Sequence, residues 1–114
     1  MNPAFLGVLR TVGLFATAGA AELGGAYLIW RWLRTGGSPI WGLLGVAALA
    51  IYGIIQTTQV FSFGRTFASY GGIFITLALL WGWLIDGMQP DRWDWLGVAL
   101  CLVGVSIILW MPRS

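Results

Sequence analysis

Glu22 is the residue from which any chemistry of this chain has to start. It stands near the middle of a run, from about Thr11 to Trp32, that is otherwise apolar enough to cross a membrane. A span takes ~20 residues at about 1.5 Å each, which puts the carboxyl close to the bilayer midplane. An ionisable group at that depth costs about 3 kcal/mol or more and is kept where it faces a bundle interior or a water-filled cavity. Its neighbours one helical turn away, Ala18, Gly19, Gly25 and Ala26, are all small. Another helix or a ligand can therefore come close to the carboxylate.

Other chemistries find few residues to use. The chain has no His, and its single cysteine, Cys101, lies inside an apolar run as a small buried hydrophobe. No cluster has the spacing of metal ligands, no nucleophile has a base beside it, and no glycine loop is built to cradle a phosphate. The expectation is a protein that is not an enzyme and takes neither metal nor cofactor. The neutral polar residues of the spans are more informative. Tyr52, Gln56 and Gln59 fall on one face of the second helix, where they either line the same cavity as Glu22 or join helices near the membrane edge. Ser69 and Thr76 are seven apart on the third helix, and their hydroxyls can bond their own backbone. Asp86, Asp91 and Asp94, with Arg92, read as a solvated turn.

The elements that position these residues follow from composition. A chain of 114 residues that is 59% hydrophobic and 9% charged is an integral membrane protein. Its apolar runs predict an all-α fold of four transmembrane helices, at about 5–32, 40–61, 66–85 and 95–111, in a single domain over 1–114. Asn2-Pro3 has the form of an N-cap followed by proline at the first helical position. Small-residue triplets before Glu22 imitate a signal-peptide cleavage site, but Arg10 interrupts the apolar stretch and the hydrophobic pattern runs on past Glu22. Short loops make successive helices antiparallel neighbours. The net charge of +2 sits on arginines at span ends, a pattern that speaks for a lipid bilayer and against a nucleic-acid partner.

Those arginines are balanced. Arg10, Arg65 and Arg113 fall on the side of the termini, and Arg31, Arg34 and Arg92 on the other, so the positive-inside rule selects no orientation. Either the chain inserts both ways and two opposed copies pair across an axis in the membrane plane, or one arginine is misassigned and the orientation is fixed. Trp30, Trp32, Trp41, Trp81, Trp83, Trp93 and Trp95 mark one interface as anchors, with Trp110 at the other. In the fourth span Gly97, Cys101, Gly104 and Ile108 recur at helical spacing. Gly97 and Gly104 then offer a contact for an antiparallel homodimer, or pack within one chain.

Several segments resemble a known family. Ala21-Glu22-Leu23-Gly24, Gly64-Arg65 with Ala68-Ser69-Tyr70-Gly71-Gly72, Leu80-Trp81, Asp86-Gly87 and Asp94-Trp95-Leu96-Gly97 are similar to the YnfA family of bacterial inner-membrane proteins, over nearly the whole chain. More distantly, Glu22 and the Gly97/Gly104 pair resemble the small multidrug resistance transporters. That resemblance implies a glutamate that binds protons and cationic substrate in turn, and a glycine pair that joins antiparallel protomers. It also places Phe67 and Tyr70 at aromatic pocket positions and Gly72 at a bend of the third span. The pocket expected around Glu22 is thus lined by Ala18, Gly25, Tyr52, Gln56, Phe67, Tyr70 and Gly72.

Two classes of function remain. One is a multi-pass, proton-coupled efflux transporter (antiporter) of the bacterial inner membrane, exporting small cationic or amphipathic compounds around Glu22. A variant of it moves an anionic or phosphorylated lipid with Arg10 or Arg65 as partner. The other is a non-transporting membrane subunit whose helices bind a partner only.

Overall fold

The computed structural model describes residues 2–113; Met1 and Ser114, the outermost residues of the expected 1–114 domain, lie outside the described residues. It consists of α1 (Pro3–Arg34), α2 (Pro39–Gln56), α3 (Phe63–Leu84) and α4 (Arg92–Trp110). All four are long and apolar enough to span a membrane. Contacts divide the chain into two compact units, Met1–Gln59 and Val60–Ser114, each a helical hairpin.

Local side-chain chemistry sets the helix starts. Asn2 Oδ1 accepts from the Ala4 amide at 2.8 Å, with Pro3 as the first helical residue. Ser38 caps α2 ahead of Pro39, and Ser62 caps α3, which therefore starts at Phe63 rather than Thr66. In the segment read as a solvated turn, Asp91 and Asp94 instead form a reciprocal capping box, with two bonds of 2.9 Å. This box brings the start of α4 forward to Arg92.

The end of α2 departs most from the expected spans. The helix stops at Gln56, not Phe61, because the Thr57 and Thr58 hydroxyls turn back to the carbonyls of Ile54 and Ile55 at 2.6 and 2.7 Å. Such local bonds offer the backbone an alternative to further helix.

The first hairpin closes by direct backbone contact. A Cβ on Gly25 would stand 2.7 Å from the Gly45 carbonyl oxygen, and one on Gly45 would stand 2.5 Å from that of Gly25. Nearer the loop, the Trp32 indole occupies the space a side chain at Gly42 would need. In the second hairpin Gly72 of α3 meets Val105 and the Cys101 carbonyl of α4, and Trp83 and Trp95 touch edge-on at 6.2 Å.

The two hairpins end in the same way. Gly36 and Gly87 both have φ of 74°, the left-handed conformation that only glycine adopts freely. After each, an amide returns to a carbonyl before the turn: Gly37 to Arg31 at 3.0 Å, Met88 to Gly82 at 2.9 Å. The surrounding residues recur too. Trp30, Trp32, Leu33, Gly36, Pro39, Trp41 and Leu44-Gly45-Val46-Ala47 return in order as Trp81, Trp83, Leu84, Gly87, Pro90, Trp93 and Leu96-Gly97-Val98-Ala99, with one added residue between Pro90 and Trp93.

Candidate functional site

The buried face of α1 is a single stripe. Thr11, Phe15, Ala18 and Gly25 are buried along it, and Glu22 falls in register between the last two, half-buried. The stripe exists because small or apolar residues recur every three or four positions. Its opposing face on α2 carries Gly45, Leu49, Tyr52 and Gln56 at the same spacing. Since the hairpin is pinned where Gly25 meets Gly45, Glu22 lies one turn from that crossing, on the helix face that looks at α2.

Across from it, Tyr52 is half-buried and close enough for its phenol to feel the Glu22 charge. Gln56, one turn further along α2, is 4% exposed. Neither atom of its amide meets a partner of full hydrogen-bond geometry among the described residues, with the Tyr52 hydroxyl its polar neighbour. A buried amide with neither function satisfied is a costly arrangement, one that a hydrogen bond to a ligand or water would relieve. Gln59 is not on this helical face, because α2 has already ended. Its amide instead donates to the Thr11 carbonyl at 3.1 Å, while Arg10 donates to the Thr58 carbonyl at 3.1 Å. These two bonds tie the end of α2 to α1.

Of the expected pocket residues, Glu22, Tyr52, Gln56, Ala18 and Gly25 share the first hairpin. Ala18 is fully buried beside the carboxylate's turn, and Gly25 is filled by α2 rather than open to a ligand. Phe67, Tyr70 and Gly72 belong to the second. There, Phe63, Phe67, Tyr70 and Phe74 form a ladder of rings with centres 4.7, 6.4 and 5.5 Å apart, and Tyr70 is buried. Gly72 lets α4 approach, and α3 is one continuous helix through Gly71-Gly72.

On α4, Gly97 and Gly104 have open space where a Cβ would stand. Neither is used to pack α4 within the chain. A groove of about 470 Å³ runs beside Gly97, bounded by Phe74, Ala78, Trp93 and Cys101. Cys101 is a free thiol. Among the described residues no three His, Cys, Asp or Glu side chains gather as a metal site would need.

The arginines do work that sequence reasoning missed. Arg113 donates to the Ile107 and Ile108 carbonyls at the end of α4, as Arg10 does beyond the end of α2. On the loop side, Arg31 lies 4.8 Å from the Trp41 ring centre, Arg34 4.5 Å from Trp30 and Arg92 5.0 Å from Trp93. The signal available in advance was the placing of these five arginines beside an aromatic residue or a helix end.

Comparison with known proteins places these features in context. Residues 8–114 match a family model described as uncharacterised BCR, YnfA/UPF0060 family. A UPF0060 membrane protein of Halalkalibacterium halodurans is 61% identical over 88% of this chain and 94% of its own length. One from Bacillus licheniformis is 56% identical over 94% of this chain and the whole of its own. The UPF0060 membrane protein YfjF of Bacillus subtilis is 52% identical over 94% of this chain and 99% of its own. No solved structure matches the chain.

Proposed function

We propose that this chain, which belongs to the YnfA/UPF0060 family of multi-pass bacterial membrane proteins, is a proton-coupled exporter of small cationic or amphipathic compounds rather than an enzyme. The observation that carries the reading is Glu22 on the inter-helix face of a membrane hairpin, with the Tyr52 phenol in electrostatic reach and the open Gln56 amide a turn beyond. An intramembrane carboxylate is expensive to keep unless it is used. One carboxylate cannot hold a proton and a cation at full occupancy together, so the two ligands displace each other. A cation arriving from the cytoplasm releases the proton, the site changes the side to which it opens, and an external proton releases the cation. This is exchange by alternating access.

Assembly as a homodimer completes the proposal. By the recurrence between the hairpins, Gly97 and Gly104 on α4 stand where Gly45 and Tyr52 stand on α2, the face that receives α1. Its counterpart on α4 is left open at both glycines, and a second copy in the opposite orientation is the occupant proposed. An anionic lipid substrate is the less favoured reading, because Arg10 is engaged with the Thr58 carbonyl and Glu22 repels a negative headgroup.

The test is uptake driven by a pH gradient in proteoliposomes. Glu22→Gln keeps the shape and hydrogen-bonding capacity of the side chain while removing its charge. Proton-coupled movement should vanish with the fold intact; undiminished uptake by that variant would remove Glu22 from the mechanism.

A further inference from the structure

Two hydroxyls on α3 behave unlike others in this chain. Thr17 and Ser106 donate to the carbonyl four residues back, at 2.8 and 2.9 Å, as serine and threonine in membrane helices commonly do. Ser69 and Thr76 could do the same, and they do not. Ser69 Oγ and Thr76 Oγ1 are shielded from solvent and have no hydrogen-bond partner among the described residues. Ser69 is fully buried. A hydroxyl that forgoes the backbone bond within its own reach keeps its donor and acceptor available for another group.

Extending the offset of the loop regions back into α1 and α3 pairs these positions with the stripe that carries Glu22. The offset that carries Trp30 to Trp81 and Gly36 to Gly87 also carries Ala18 to Ser69, Glu22 to Ile73 and Gly25 to Thr76. Burial follows the same register over one stretch: Phe15, Ala18 and Gly19 are buried on α1, and so are Thr66, Ser69 and Tyr70 on α3. In the first hairpin a carboxylate stands between two small apolar positions. In the second an apolar residue, the buried Ile73, stands between two unsatisfied hydroxyls. The stripe carries polar groups in both hairpins: a carboxylate at one level in the first, and neutral hydroxyls one turn to either side of that level in the second.

We propose that Ser69 and Thr76 are substrate-recognising residues, a neutral station that hydrogen-bonds N–H or O–H groups carried by the transported cation. The inference rests on the transport reading above and narrows its substrate class to cations that bear such groups, in preference to purely apolar ones. The hydroxyls are two turns apart, about 10 Å along the helix axis. A small cation therefore meets them in succession, one on each side of the level of Ile73. A neutral hydroxyl suits this task, since it takes either a donor or an acceptor and leaves charge recognition to Glu22.

The test uses the full-length protein and two monovalent cations. Ethidium carries aromatic amines with N–H groups; tetraphenylphosphonium has no hydrogen-bonding group. Binding and proton release are titrated for wild type, Ser69→Ala, Thr76→Val and the double variant. One or two lost hydrogen bonds should weaken ethidium binding by roughly three- to tenfold. Tetraphenylphosphonium should stay within about twofold on the same reasoning, having no bond to lose. Thr76→Ser, which keeps the hydroxyl, should bind ethidium as wild type does. If the double variant does not fold, Ser69→Ala alone carries the comparison. Equal weakening of both probes, or no change in either, overturns the proposal. Wild-type protein that releases no proton with either probe overturns the transport reading and this inference with it, and so is told apart from failure of the hydroxyl station alone.

Discussion

Gly25 and Gly45 meet backbone to backbone: each carbonyl oxygen lies within 2.7 Å of where the other residue's Cβ would be. The contact fixes the register of α1 against α2, and with it which α2 residues come opposite Glu22. A side chain at either position must push the helices apart. Gly25→Ala or Gly45→Ala should lower stability by about 1–3 kcal/mol, the usual cost of overpacking. Gly24→Ala, which enters open space on the same helix, should be neutral or stabilising by up to ~1 kcal/mol through helix propensity. Thermal denaturation in one detergent compares the three, and a Gly24→Ala protein as damaged as Gly25→Ala would disprove the crossing.

Tyr52 tests how far the site extends beyond the carboxylate. Tyr52→Phe removes only the hydroxyl, so packing on α1 should survive. The phenol lies in reach of the Glu22 charge and of the neutral Gln56 amide; losing an interaction worth one ordinary hydrogen bond, about 0.5–1.5 kcal/mol, corresponds to a drop of roughly two- to tenfold in proton-coupled uptake. Uptake at the wild-type rate across pH would place Tyr52 outside the mechanism.

Assembly can be probed without disturbing the single chain. Gly97 and Gly104 have open space around them, so Gly97→Leu and Gly104→Leu should leave helix content unchanged by circular dichroism. They should nonetheless abolish the dimer, because a leucine on a glycine contact separates backbones that rely on close packing. Fully dimeric variants in lipid would show that this face is not the contact.

Orientation follows from the balanced arginines. Thr35→Lys adds a positive charge at the first loop while sparing Gly36, whose left-handed conformation must be kept. Lysines appended behind Arg113 add it to the other side. Reporter fusions at both ends should shift in opposite directions for the two changes. One unchanged orientation throughout would exclude dual insertion.

Much of the fold could be read from single residues. Asn2-Pro3 announces the start of α1, and Glu22 among small neighbours announces the face that meets another helix. The end of α2 was illegible because Val60 and Phe61 keep hydropathy high past the threonines that end the helix. That misplaced Gln59, which belongs to the tie between helices and not to the face of Tyr52 and Gln56. The open hydroxyls of α3 were equally hidden, since a serine in a span looks the same whether or not it bonds its own backbone. The recurrence of the hairpins is weak in α1 and α3 themselves and concentrated around their loops, where an added residue before Trp93 interrupts it.

The matching turns at Gly36 and Gly87 have a consequence for how a chain built of hairpins can be lengthened. A hairpin crosses the bilayer twice, so its net displacement of the chain is zero. Copying it in tandem leaves every flanking segment on the side it already occupied, whereas copying one helix would invert all that follows. Lengthening a gene by such an even-numbered piece is topologically silent.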